Sequence, residues 1–358
     1  MEKEGGEMLV VHMDSGLGNQ MLDYAEYLSI QLSNPEQKCY LENLIYELPQ
    51  KEGMISMWNG YELERIFGIK LPNVKELLKE EEWKEVLEYV EKSEFWKDNW
   101  NFSPHIIMAF EQQGIRLNNF GKVSGKLIEN PTNLKEMLFC LRRYFFQTRV
   151  GYFIKRNMRN VLKEQIIKKM NQEYNLYRKY PQDSFVGHSL RFKNKGFGIE
   201  KIEEQLKKAF RFPPIEDERN LEMLEEIRQT NSVSIHARRS DLLFLNGHCY
   251  EHGFFKRSVN YIKKNVKNPV FIFFTDENSV GWCEENKKIF GIDTKQDQVR
   301  FVTWNKGTDS YRDMQLMAEC KHNIFTESSF GFWGAFLNQN PDKITCAPDI
   351  SILSTHTF

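Results

Sequence analysis

The chain lacks the features that settle a protein's class at a glance. None of its six cysteines, at 39, 140, 249, 283, 320 and 346, stands in a C-x-x-C pair, so neither a zinc ribbon nor a dithiol motif is expected. They read as the reduced thiols of a cytoplasmic protein. There is no apolar run of about 18 residues, so no transmembrane helix is expected, although peripheral contact with a membrane stays open. The opening MEKEGGEMLVVHM is acidic and has no long apolar region, unlike a secretory signal. Lys and Arg total 49 against 50 Asp and Glu, a formal charge of −1. No overall field therefore draws the chain to nucleic acid or anionic lipid, and any phosphate site must be local. Repeats and low-complexity tracts are absent. What remains is ordinary globular composition, 41% hydrophobic and 28% charged over 358 residues, a length that favours two domains.

The element pattern points to an α/β chain. MLVVHM (8–13) reads as a buried strand, DSGLGNQ as a glycine-containing loop, and NQMLDYAEYLSIQL as a helix. Val74, Leu77, Leu78, Val86, Leu87 and Val90 form one helical stripe, and Phe153, Val161, Leu162, Ile166 and Met170 another. Both segments read most simply as packing helices with solvated charged faces. Pro213-Pro214 marks a linker at 211–220. Beyond it strands alternate with helices: 232–237, 269–276, 299–304, 322–326 and 343–348 as strands, with GFFKRSVNYIKK, DSYRDMQLMAEC and SFGFWGAFLN as helices. That rhythm predicts a parallel sheet wound on both faces. The domains are placed at 1–225 and 226–358.

Several stretches carry polar groups where such a sheet binds ligands. In SVSIHARRSD, strand geometry puts His236 and Arg238 on one face, with Arg239 and Asp241 just past the strand end. Adjacent arginines at a strand's C-terminal edge are costly without an anion, and a guanidinium fork suits a diphosphate; a structural Arg–Asp pair is the plainer alternative. HNIFT ends in Glu327-Ser328-Ser329 at the start of a helix, where free backbone N–H groups bind phosphate. The serines equally suit simple capping. Ser310 and Asp313 fit a capping box, and Asp276 ends the apolar FIFFTD as a crevice residue or a cap. Gly16 and Gly18 open like a dinucleotide fingerprint, but Met21 occupies the third glycine position. The turn still offers Asn19 and Gln20. His248, Cys249 and His252 hint at a metal, but flanking Gly247 and Gly253 argue against one helix face carrying both histidines. No metal is expected.

Together these stretches resemble the α-1,2-fucosyltransferase family, glycosyltransferase family 11. GLGNQMLDYA is similar to its Gly-Leu-Gly-Asn-Gln-Met segment, YELERIFGI (61–69) to another family stretch, and HARRSD to its His-x-Arg-Arg-x-Asp motif. FFTDEN and DMQLMAECKHNIFTESSFGFWGAFLN are similar to its second and third motifs. The chain departs from the family at Glu327, where Asn is usual. It departs again at Gly331-Phe332-Trp333, where the family has Ser-Trp-Trp, and after Tyr152.

The resemblance implies a GT-B type fold, two Rossmann-like domains facing a central cleft. The N-terminal domain would lie on the acceptor side and the C-terminal one would bind the donor. It implies transfer of L-fucose from GDP-β-L-fucose, with inversion, to the 2-hydroxyl of a terminal β-galactoside, without a required metal or cofactor. Arg238 would then bind the diphosphate, and His236 and Asp313 the guanine or its ribose. Ser328, Ser329 and Phe330 would lie along the nucleotide, and Gly16, Gly18, Asn19 and Gln20 would line the cleft.

Breaking the fucose–phosphate bond puts negative charge on the β-phosphate, so Arg238, with Arg239, is expected to carry catalysis. Asp23, Glu251 and Asp14 are the candidates for a general base. The competing readings are another sugar specificity on the same scaffold and a non-catalytic nucleotide or RNA module. The latter is disfavoured because basic and aromatic residues do not interleave. HARRSD is not the His-Arg-Asp of a protein kinase.

Overall fold

The computed structural model describes residues 7–49, 59–98, 100–121, 133–173, 179–187, 193–195, 198–239, 243–293 and 295–358. The chain divides into two compact units. Unit 1 comprises Met1–Asn130, Met170–Phe192 and Gly196–Arg211; unit 2 comprises Pro131–Lys169, Lys193–Lys195 and Phe212–Phe358. The chain therefore interleaves, and its last passage between units falls at 211/212, inside the proline-bearing stretch.

Unit 1 holds a parallel sheet of β1 (Met8–His12), β2 (Lys38–Glu42), β3 (Asn118–Gly121) and β4 (Ser184–Gly187), in the order β2-β1-β4-β3. Its two central strands, β1 and β4, are buried on both faces because both are covered. Val10 and Phe185 enter one core cluster, while Leu9, Val11 and Val186 enter the other, the alternation that strand geometry imposes. The helix Leu17–Ser33 follows β1.

Unit 2 holds β5 (Asn231–Ala237), β6 (Pro269–Thr275), β7 (Gln298–Val302), β8 (His322–Phe325), β9 (Thr345–Ala347) and β10 (His356–Thr357). All pairings are parallel, in the order β10-β9-β8-β5-β6-β7. Read from β7, this is the Rossmann order 3-2-1-4-5-6. The chain runs outward from β5 through β6 to β7, then crosses back to lay β8 on the other side of β5. The crossing point lies between β5 and β8, and in such sheets the ligand crevice opens there, beyond the strands' C-terminal ends.

One face of this sheet buries Val233, Ile235, Ala237, Phe271, Phe273 and Ile324 in a phenylalanine-rich core. Each fully buried side chain of that kind contributes roughly 1.5–3 kcal/mol. The other face carries Ser234, His236 and Asn323, all buried. Asn323 donates to the Ser234 hydroxyl at 2.8 Å and to the Met317 carbonyl at 2.7 Å, so its amide is satisfied. Two helices, Tyr311–Glu319 and Ser329–Leu337, approach closely over this unit. A Cβ at Gly334 would stand 2.8 Å from the Met317 Cβ, so glycine sets their separation.

The expectation of an α/β chain with two parallel-sheet units holds, and the six strands and helices expected from SVSIHA onward and at the start of the chain are all present. Two helices differ. Segment 74–92 splits into a 3₁₀ turn Val74–Leu77 and a helix Glu80–Ser93, and 153–170 is divided at Leu162 between Arg149–Val161 and Lys163–Glu173. The stripe expected to pack there is only partly covered: Phe153 and Ile166 are half-buried, while Val161 and Leu162 are exposed.

Candidate active site at the crossing point of the second sheet

β5 and β8 deliver the main groups. His236 pairs in register with Phe325, so Arg238 and Glu327 each lie two residues past the last paired position on neighbouring strands. Arg238 and Arg239 are half-buried. The turn that carries them is fixed by main-chain contacts: the Tyr250 hydroxyl donates to the Arg238 carbonyl at 3.0 Å, and the Thr275 hydroxyl to that of Ala237 at 2.7 Å. Asp276, at the end of β6, accepts the Arg239 backbone N–H at 2.9 Å and the Ser279 hydroxyl. It thereby latches the exit of β5 to that of β6, with no side-chain cap on the following turn. The Arg239 guanidinium stacks on Trp282, 3.3 Å from the ring centroid, and lies 5.1 Å from Tyr250. Arg239 is thus held against aromatic faces. Asp241 lies outside the described residues.

On the β8 side, Ser328 is the N-cap residue of the Ser329–Leu337 helix and is buried, yet makes no side-chain cap bond. Capping is therefore not what its hydroxyl does. Ser329 and Phe330 are half-buried in the first turn. The Lys193 ammonium donates to the Glu327 carbonyl, and burial pulls its pKa down. Lys193 is a cation the sequence reading missed; it lies 134 residues from its partner and in no recognisable motif.

The first turn of this helix sits directly on His236. A Cβ at Gly331 would come within 2.5 Å of the His236 Nδ1 and 2.9 Å of the Phe325 Cβ. The Phe330 ring centroid is 5.7 Å from that of His236. Burial, then the Arg238 charge, push the His236 pKa down to about 3, so the ring is neutral at physiological pH. Its Nδ1 is buried with no hydrogen-bond partner. Asp313 makes no capping box: Ser310 gives no side-chain cap, and the Asp313 carboxylate accepts the Asn305 amide at 2.7 Å instead. Burial raises the Asp313 pKa to about 7.

His248 and His252 both lie against the Tyr152 ring, at centroid distances of 5.6 and 4.9 Å. Gly247 is inside the helix Leu243–Glu251 rather than a break before it. The His252 ring meets the Gln147 carbonyl at 3.1 Å. Among the described residues no cluster of three or more His, Cys, Asp or Glu is arranged to hold a metal.

In unit 1 the glycine turn after β1 has a different character. Ser15 adopts φ 67°, a left-handed conformation that a side chain rarely takes. Its carbonyl accepts from Gln20 Nε2 at 2.9 Å and from the Tyr46 hydroxyl at 2.7 Å. Gln20 is fully buried, donates also to the Gly60 carbonyl and accepts the Glu62 N–H. Its amide thus fastens the turn to the 60–62 segment. Gly16 caps the helix, its carbonyl accepting the N–H groups of Asn19 and Gln20, while Gly18 is buried and Asn19 half-buried in the first turn. Of the base candidates, Asp23 is wholly buried, Asp14 nearly so, and Glu251 is exposed at a helix end.

A constellation that no sequence motif marks adjoins this turn. His12 is buried with its Nδ1 2.5 Å from Glu42 and its Nε2 3.2 Å from Asp14. Its ring stacks on Phe102 at 3.8 Å. Burial works to lower the His12 pKa, but the two carboxylates override it and hold the value up at about 10. The cation is the normal state of this ring.

The model of glycosyl transferase family 11 matches residues 126–351. The chain belongs to that family. Among its relatives is an Escherichia coli alpha-1,2-colitosyltransferase, 37% identical over 133 residues, covering 36% of this chain and 43% of that protein. Human galactoside alpha-(1,2)-fucosyltransferase 1 is 30% identical over 115 residues, covering 31% of this chain and 30% of that enzyme. Each match thus spans less than half of the relative. Among solved structures, fucosyltransferase NodZ from Bradyrhizobium has a TM-score of 0.43 at 10% identity, over 92% of this chain and 91% of that one. A mutant of Arabidopsis thaliana FUT1 in complex with GDP has a TM-score of 0.45 at 10% identity, over 97% and 72%. The matched 126–351 segment of this family 11 chain contains β5, β8 and the whole crossing point.

Proposed function

We propose that the chain transfers L-fucose from GDP-β-L-fucose to the 2-hydroxyl of a terminal β-galactoside, forming an α-1,2 linkage with inversion. One observation carries this reading. Arg238 and the Ser328–Ser329 helix start flank the β5–β8 crossing, in a segment belonging to a glycosyltransferase family. In the transition state, charge develops on the departing GDP. Arg238 and the positive end of the Ser329–Leu337 helix supply preorganised positive potential there. One such donor is worth about 3 kcal/mol, or a hundredfold in rate. Arg239, stacked on Trp282, positions the turn rather than touching the diphosphate. Neutral His236 and Asp313 contact the nucleoside. The loss of the sugar is assisted by charge alone, and no metal takes part.

The relative named for colitose favours a second donor. Transfer of nucleotide-activated colitose with the same α-1,2 geometry uses the same diphosphate grip and differs only in the sugar pocket. One assay separates the readings. The purified chain is given GDP-fucose or GDP-colitose with lactose-type and N-acetyllactosamine-type acceptors, with and without EDTA, and the product linkage is determined by NMR. Fucose on the galactose 2-hydroxyl, undiminished by EDTA, is the expected result. Transfer of colitose alone selects the second reading, and a folded chain that transfers neither sugar overturns both.

A further inference from the structure

The helix Leu134–Gln147 has no buried residue. Its apolar side chains nevertheless recur at helical spacing: Leu134, Met137, Leu138, Leu141, Tyr144 and Phe145 make one continuous stripe. A stripe of this kind normally faces a core. Here it faces outward, with Tyr144 70% exposed. The neighbouring helix Arg149–Val161 repeats the arrangement through Val150, Ile154, Met158 and Val161, the last 85% exposed. The two helices pack on each other through a sharp turn. A Cβ at Gly151 would overlap the Phe145 carbonyl at 1.9 Å, so only glycine fits there.

The hairpin is nonetheless fixed to unit 2. The buried Tyr152 ring lies against His248 and His252, with Arg257 3.4 Å from its hydroxyl. Arg159 pairs with Asp349 at 2.7 Å. These contacts hold the hairpin's inner side and leave its two apolar stripes uncovered.

Charge says what covers them. Between residues 134 and 169 there are ten Lys and Arg but two acidic residues, in a chain of net charge −1. A second copy of this surface would set one cationic patch against another, and a polynucleotide would meet the charge but not the stripes. An anionic bilayer meets both, since apolar side chains enter the acyl boundary while Lys and Arg lie among the headgroups. Among the described residues no helix is long and apolar enough to cross a membrane, so the hairpin lies on the surface. We propose that the hairpin at 134–161 docks this chain on an anionic lipid surface. The proposal is independent of the donor and linkage readings above.

The test is vesicle flotation of the full chain. It uses phosphatidylcholine vesicles with and without phosphatidylglycerol, followed by soluble-acceptor transfer assays on the same samples. The chain is expected to float with the anionic vesicles only, and to be released by high salt. Each exposed cation near such a surface is worth about fivefold in partitioning. Arg142→Glu with Arg143→Glu should therefore cut the bound fraction at least about tenfold, and Leu141→Glu with Val161→Glu similarly. Leu141, Arg142 and Val161 are exposed and Arg143 is half-buried, and both pairs should leave circular dichroism and transfer to soluble acceptors unchanged. Absence of flotation, or flotation that neither pair weakens, overturns the proposal. So does an oligomer that Leu141→Glu with Val161→Glu dissolves without any lipid binding, or polynucleotide binding that this pair leaves intact.

Discussion

At the residue scale the clearest anomaly is His12. A histidine with two buried carboxylate partners carries a proton that its unfolded counterpart begins to lose near pH 6.5, whereas the folded ring keeps it to about pH 10. The raised pKa means that this contribution to stability is fully present below about pH 6.5 and is lost as pH rises toward about 10. Removing the cation leaves the wholly buried Glu42 carboxylate without its charged partner, with the Leu44 N–H still donating to it at 2.7 Å. His12→Gln is therefore expected to lower unfolding stability by about 3–5 kcal/mol. It should also flatten the alkaline fall in stability, read by denaturant titration across that pH range. Equal stability and an unchanged pH profile would remove the ion triad from the account. Little of this was legible in sequence. Asp14 stood in a recognisable turn, but Glu42 is 30 residues from His12 and reaches it only because β2 pairs beside β1 with His12 opposite Glu42.

At the element scale, the Ser329–Leu337 helix is seated by one missing side chain. Gly331 allows its first turn to rest on His236 and Phe325. Gly331→Ala forces the imidazole or the helix start to shift, because ring and backbone-proximal carbon atoms stand where the methyl would go. GDP affinity is expected to fall about tenfold or more, with the melting temperature changed by a few degrees; unaltered affinity would show that the helix start does not meet the nucleotide.

The elements themselves differ in how well sequence exposed them. β6 is a short apolar run and stands out, whereas β5 and β8 carry apolar residues on one face and Ser234, His236 and Asn323 on the other. β3 reads Asn-Asn-Phe-Gly and β10 spans two residues, so neither has a hydrophobic signature; each exists through its neighbour's pairing. Of the hairpin's two helices the sequence reading marks only the one within 153–170, and as a packing helix, because periodicity reports a stripe and never what lies against it. Arg239 was legible as a cation at a strand end. Its Trp282 partner, 43 positions on, was not.

At the scale of the whole molecule, topology decides which polar groups matter. Six parallel strands in the Rossmann order leave one crossing point, and the chain places a guanidinium on one side of it and a helix N-terminus on the other. The motifs at Arg238 and Ser328 are 90 residues apart in sequence and become neighbours only because β8 returns to pair with β5. The central claim is that these two groups together grip a nucleoside diphosphate. Calorimetric titration of GDP into the intact chain and into Arg238→Ala tests it most directly. The account predicts measurable GDP binding by the former, and binding about a hundredfold weaker in a variant that remains folded. GDP bound equally by both, or by neither, would contradict it.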